Sequence, residues 1–188
     1  MTGRSIRLGR RGGRVVVGLT TTAYVVGIMI AGAPPGNSFG GSCNGRLSTV
    51  GLDASHEKGP VIIMGGDATD DVIIGSRGDD TIDGRGGDDT ICAGSGADDV
   101  RGGDGDDAVF GERGDDTLRG DDGDDIVLGG KGNDNMSGED GEDQLLGDDG
   151  HDILNGVDEP TNPDSVDGGD GKNLCFIDAL DEPEDCKY

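Results

Sequence analysis

The chain has no tryptophan, only two tyrosines and three phenylalanines. It therefore lacks the large aromatic side chains that dominate an ordinary protein core. Hydrophobic residues make up 31% of its 188 positions, too few for a thick globular interior. Basic residues are scarce as well: 15 Lys+Arg stand against 40 Asp+Glu, a formal net charge of −25. A surface that acidic repels phosphate, which excludes DNA and RNA as partners. It suits counter-cations instead. Zinc is disfavoured, since His56 and His151 are the only histidines and no CxxC occurs. By composition alone this is a self-repelling chain with little to bury.

What the chain does have is glycine, 40 of them, and they are periodic. From Gly66 the sequence divides into ten units of nine: GDATDDVII, GSRGDDTID, GRGGDDTIC, AGSGADDVR, GGDGDDAVF, GERGDDTLR, GDDGDDIVL, GGKGNDNMS, GEDGEDQLL and GDDGHDILN, ending at Asn155. Position one is Gly except for Ala93, and position four is Gly except for Thr69. Position six is Asp throughout: Asp71, Asp80, Asp89, Asp98, Asp107, Asp116, Asp125, Asp134, Asp143 and Asp152. Position eight is always Ile, Val, Leu or Met. Three extra residues, 156–158, break the register before two weaker units. EPTNPDSVD (159–167) keeps Asp164 and Val166, while GGDGKNLCF (168–176) has Asn173 in place of the aspartate and Cys175 at the apolar position.

This pattern resembles G-G-x-G-x-D-x-U-x, the established calcium-binding nonapeptide of RTX (repeats-in-toxin) proteins with hemolysin-type repeats. The resemblance covers residues 66–176. It departs at position two, where Asp67, Ser76, Arg85, Glu112, Asp121, Glu139 and Asp148 replace glycine. It implies an all-β fold: a right-handed parallel β-roll, or β-solenoid, of 18-residue coils with Ca²⁺ between turns.

The residues support that expectation independently. Thr117–Arg119 alternates polar, apolar, polar, so as a short strand it points one side chain inward. GxxGDD suits a tight turn. Strand, turn, strand, turn gives a coil of 18 residues, which places Asp116 beside Asp134 and Asp89 beside Asp107 in successive coils.

Residues 66–155 hold 28 acidic and six basic residues, a net of −22. Strand spacing would stack those charges roughly 5 Å apart. One aliphatic side chain per nine residues falls far short of the cost of ordering nine backbones. A hard divalent cation reverses the balance, because Ca²⁺ accepts six to eight carboxylate and carbonyl oxygens in adaptable geometry. Mg²⁺ is stricter and keeps its water. Several Ca²⁺ ions are therefore expected, with the ten position-six aspartates and Asp164 as ligands. The position-five aspartates (Asp70, Asp79, Asp88, Asp106, Asp115, Asp124) are expected to face solvent.

The ends differ from the repeats. Arg4, Arg7, Arg10, Arg11 and Arg14 lead into a carboxylate-free run from Val15 to Ala33, so residues 1–33 read as a signal peptide or N-terminal membrane anchor. Residues 34–60 read as a linker, 61–65 as an N-terminal cap strand, and 177–188 as an acidic C-terminal tail. The four cysteines are even in number, which suits disulfides in an oxidising compartment. Cys175 with Cys186 would clip the tail to the last coil, leaving Cys43 for Cys92. Free thiols are the alternative.

No Ser/His/Asp arrangement, phosphate loop or metal-hydrolase motif occurs, so no enzyme is expected. Ice binding is excluded too, because position seven carries no array of one residue type (Val72, Thr90, Ala108, Ile126, Gln144 on one face). The expectation is a secreted or surface-attached, non-catalytic, monomeric calcium-binding protein, structural or adhesive, with no nucleic-acid partner. The alternative is an effector-less relative of a larger RTX toxin, protease or lipase.

Overall fold

A computed structural model gives the fold. It describes residues 62–65, 68–157, 162–179 and 181–186, and the backbone of five short strands before them, at 14–16, 29–31, 42–43, 46–47 and 52–53. The chain divides into two units, Met1–Gly40 and Gly41–Tyr188. In the first, Arg14–Val16 pairs antiparallel with Met29–Ala31. The rest of the expected leader lies outside the described residues, and among those described no helix is long and apolar enough to cross a membrane.

The second unit is a solenoid. Among the described residues its strands form a seven-stranded and a nine-stranded sheet, and neighbouring strands in each come from successive coils. Pairing is parallel and steps by 18: Thr117 lies opposite Asp99 and Asn135, and Leu118 opposite Val100 and Met136. Inside runs a single file of position-eight side chains, from Ile73 through Leu118 to Leu154 and Val166, each at most 1% exposed. The core is one residue wide, as the period requires.

The regular strands are longer than the three-residue segments expected. Thr117–Asp122 and Ile126–Lys131 each run through six residues, positions seven to nine and one to three of the next unit. The turn is thus confined to positions four to six. Position one drops out of the pairing: Arg119 pairs with Arg101 and Asp121 with Gly103, while Gly120 is passed over. Its glycine is required by close approach, since a Cβ on Gly84 would lie 2.4 Å from Asp89 Oδ2 and 2.5 Å from the Gly102 carbonyl oxygen. Positive φ falls instead at positions two and four, and non-glycine residues adopt it at position two, including Arg85, Glu112 and Asp121.

The roll also extends beyond the repeats. Ile62–Met64 pairs with Thr81–Gly86 as a further rung, with Ile63 buried in line with the core. Leu52–Asp53, in the segment read as a linker, pairs with Val72–Ile74. Glu182–Glu184, in the segment read as a tail, adds the last strand of the nine-stranded sheet against Ser165–Asp167. The three-residue insertion is absorbed without loss of order: Leu154 still pairs with Cys175, 21 residues on.

Candidate metal centre

The backbone hydrogen-bond account of one nine-residue unit leaves two donors over. Positions seven to nine and two to three are paired strand to strand. The position-four N–H donates to the next coil's position-three carbonyl, as from Gly105 to Asp122 at 2.7 Å. The position-seven N–H donates to the preceding coil's position-six carbonyl, as from Asn135 to Asp116 at 2.8 Å. The position-one N–H donates to the next coil's position-nine carbonyl, as from Gly75 to Cys92 at 2.8 Å. The N–H groups of positions five and six are thus left without a backbone acceptor, and buried N–H groups are rarely left so. The two adjacent aspartates accept them.

At position six the acceptor lies one coil ahead. The N–H of Asp89 donates to Asp107 Oδ1, that of Asp98 to Asp116 Oδ1 and that of Asp116 to Asp134 Oδ1, all at 2.7–2.8 Å. The same bond runs from Asp71 to Asp89, Asp80 to Asp98, Asp107 to Asp125, Asp125 to Asp143 and Asp134 to Asp152. It crosses the insertion from Asp143 to Asp164 and from Asp152 to Asn173. All eleven aspartates read from the sequence are buried, between 1% and 5% exposed, and stand in these two rows.

At position five the acceptor lies one coil behind. The N–H of Asp106 donates to Asp88 Oδ1, that of Asp124 to Asp106 Oδ1 and that of Asn133 to Asp115 Oδ1. Asn133 Oδ1 and His151 Nδ1 fill the same role where no carboxylate is available. These side chains are exposed, as expected, but they are held in a ladder of their own rather than free in solvent.

The inner row carries the chemistry. One carboxylate oxygen of each residue is used by the ladder; the other, Oδ2, is turned inward. For Asp89, Asp98, Asp107, Asp116, Asp125, Asp134 and Asp152 that oxygen is buried with no hydrogen-bond donor. In all of these but Asp98 it also shares the space beside a position-one glycine with a carbonyl oxygen. A Cβ on Gly102 would lie 2.3 Å from Asp107 Oδ2 and 2.7 Å from the Gly120 carbonyl oxygen; on Gly147, 2.6 Å from both Asp152 Oδ2 and the Gly168 carbonyl oxygen. Two oxygens facing one space with no donor between them call for a cation.

Burial pushes these carboxyls up, partly offset by the backbone N–H each accepts and reinforced by neighbouring carboxylates. Asp89, Asp98 and Asp134 rise to about 6, Asp107 and Asp116 to about 7, and Asp125 to about 8. Among the described residues no three acidic, histidine or cysteine side chains converge on one point. A resident ion must therefore draw on carboxylates and backbone carbonyls together. That donor set is all oxygen, which fits Ca²⁺ and does not fit zinc.

Comparison with known proteins agrees with this geometry. Residues 65–100, 101–136 and 128–157 match the RTX calcium-binding nonapeptide repeat (4 copies). The chain carries RTX calcium-binding repeats. Its solenoid is an RTX β-roll, and no curated protein gives a significant match.

The sequence reading missed one residue of the RTX rows. Asp181 Oδ1 accepts the Asp164 N–H at 3.2 Å, which places Asp181 next in line after Asp164. The step is 17 residues, off the repeat, so periodicity could not reveal it; the only signal was an aspartate just before the Glu-Pro-Glu that pairs with Ser165–Asp167. The bridge from Cys175 to Cys186 is present, with Cα atoms 5.7 Å apart, and holds this last strand to the roll. Cys92 is disulfide-bonded as well. The side chain of Cys43, its expected partner, lies outside the described residues.

Proposed function

We propose that this RTX β-roll is an exported, non-catalytic module whose folding depends on several Ca²⁺ ions. The carrying observation is the inward Oδ2 atoms of Asp89, Asp107, Asp116, Asp125, Asp134 and Asp152, each buried with no donor and sharing the space at a position-one glycine with a carbonyl oxygen. At neutral pH the metal-free roll must either bury ionised carboxylates or hold protons on groups that would shed them when unfolded. Both are unfavourable. A Ca²⁺ ion between coils would accept both oxygens and neutralise the stacked charge.

The ligands assigned are the carboxylates of Asp71, Asp80, Asp89, Asp98, Asp107, Asp116, Asp125, Asp134, Asp143, Asp152 and Asp164, with turn carbonyls completing the shells. What this chain's residues do is hold those oxygens in register. Position one stays free of a side chain, position eight anchors the strand, and the outer aspartates secure the turn. The arginine-led apolar segment and the disulfides support an extracellular or surface location, where Ca²⁺ is abundant and thiols oxidise. A structural or adhesive role at the cell surface follows.

Far-UV circular dichroism of the full chain with and without Ca²⁺ tests the reading. A β spectrum should develop cooperatively at millimolar Ca²⁺, the range of weak extracellular sites, and much less in equal Mg²⁺. A β spectrum already complete at pH 7.5 in excess chelator would sink it.

A further inference from the structure

The inner rows do not end as they run. At Asp89, Asp98, Asp107, Asp116, Asp125, Asp134 and Asp152, one carboxylate oxygen is hydrogen-bonded and the other is not. At three of the four ends, Asp80, Asn173 and Asp181, the protein satisfies both side-chain polar atoms. Asp80 opens one row, and Ser76 caps it: the Ser76 N–H donates to Asp80 Oδ2 at 2.6 Å and the Ser76 hydroxyl to Oδ1 at 2.8 Å. Ser76 is the sole serine at position two of the ten units. Unlike every position-two residue from Arg85 to Asp148, it does not have positive φ.

The same row closes at Asn173. Its Oδ1 accepts the Asp152 N–H at 3.0 Å, as an aspartate would. Because that atom is an acceptor, the other is fixed as nitrogen. Nδ2 donates to the Gly168 carbonyl and, at 3.2 Å, to the Gly169 carbonyl. Nδ2 takes the place of the interior Oδ2 beside the position-one glycine. A Cβ on Gly147 would meet Asp152 Oδ2 at 2.6 Å, and one on Gly168 would meet Asn173 Nδ2 at 2.7 Å. Where the interior presents an oxygen that needs a cation, the end presents a donor that needs none. The second row closes alike, since Asp181 accepts at both oxygens, from Asp164 and, at 2.6 Å, from Asp178.

We infer that Ser76 and Asn173 are end-stops of the calcium ladder, making the terminal turns metal-free by supplying the hydrogen bonds that replace an ion, so that Asp80 leaves the ligand set proposed above. This rests on the calcium reading above. It means that the number of ions is set by two substitutions in the repeat as well as by its length, and that the outermost coils, where an ion would be half-solvated, do without one.

Native mass spectrometry of the full, disulfide-intact chain in Ca²⁺ counts the ions directly. Ser76→Gly and Asn173→Asp are each expected to bind one more Ca²⁺ than the unmutated chain, and the double variant two more. Asp116→Asn makes the reverse change inside the ladder, and should bind at least one fewer while keeping its β spectrum at saturating Ca²⁺. Its folding midpoint should need less Ca²⁺ than that of Asp116→Ala, because only the amide can donate to the Gly111 and Glu112 carbonyls. Counts unchanged in both end variants overturn the inference. Should the end variants fail to fold, Asp116→Asn decides alone, and an unchanged count there overturns it equally. An unmutated chain that binds no Ca²⁺ at all would refute the calcium reading itself instead.

Discussion

Positions five and six of each repeat are neighbours in the chain, usually the same residue type, and both accept a backbone N–H from an adjacent coil. They behave as different groups. Position five reaches forward, lies in solvent, and leaves its second oxygen to water. Position six reaches back, is buried, and leaves its second oxygen to another acceptor. The difference comes from which way the strand leaves the turn, since side chains alternate along it. Composition cannot distinguish the two aspartates; only their side of the backbone can.

Mutations and pH can test that comparison. The largest effect belongs to neither row and sets the scale. Leu118→Asp puts a charge into a core one residue wide, and should cost about 4 kcal/mol or more. Saturating Ca²⁺ should not restore its β spectrum; full recovery would show that the single file is not the core.

Asp116→Ala comes next. It removes an assigned ligand and strips the buried Asp98 N–H of its acceptor, a loss of about 2–3 kcal/mol. A clear rise in the Ca²⁺ midpoint of folding is expected in a titration followed by circular dichroism. A midpoint equal to that of Asp115→Ala would erase the distinction between the rows.

Acidity addresses chiefly the inner row. Burial pushes Asp89, Asp98, Asp107, Asp116, Asp125 and Asp134 up to between about 6 and about 8 when folded, against about 4 when unfolded, so between those limits the folded chain holds more protons. Stability of the metal-free roll therefore falls as pH rises from about 4 to about 8. In calcium-free buffer, β content should be higher at pH 5 than at pH 8, the reverse of ordinary acid denaturation. A metal-free β signal that grows toward pH 8 would contradict the burial of these groups.

The smallest effect is Asp115→Ala. Its partner, the Asn133 N–H, is exposed and can turn to water, so the loss should stay within about 1 kcal/mol. Denaturant midpoints in saturating Ca²⁺ resolve a difference of that size.

Much of this was legible because the repeat states it ten times. One apolar and one invariant aspartate per nine residues fixed the core and the inner row, and 18-residue stacking followed from strand alternation. Strand length was not legible: Gly120 and Asp121 look like turn residues, yet both lie within Thr117–Asp122, because neighbouring coils pair across them. The position-five ladder was hidden for a similar reason, since an exposed aspartate and a bonded one read alike. The end-stops escaped because they are departures from the repeat. Ser76, Asn173 and Asp181 gain meaning only once the coils on either side are placed.

The opposed direction of the two ladders has a consequence for how such a chain can assemble. A coil delivered N-terminus first, from a ribosome or through a pore, brings its own forward-reaching outer aspartates, but its buried position-six N–H must wait for the coil behind. That next acceptor is 18 residues away, about 60 Å of extended chain, more than the full thickness of a bilayer. Closure of each coil therefore waits until its successor has emerged completely, so the growing tip is always unfinished by one turn. Delivered the other way, the tip would already have its buried position-six acceptor, and its solvent-facing position-five bond would be among those left waiting. The roll is built from identical units, and yet its two ends are not equivalent starting points.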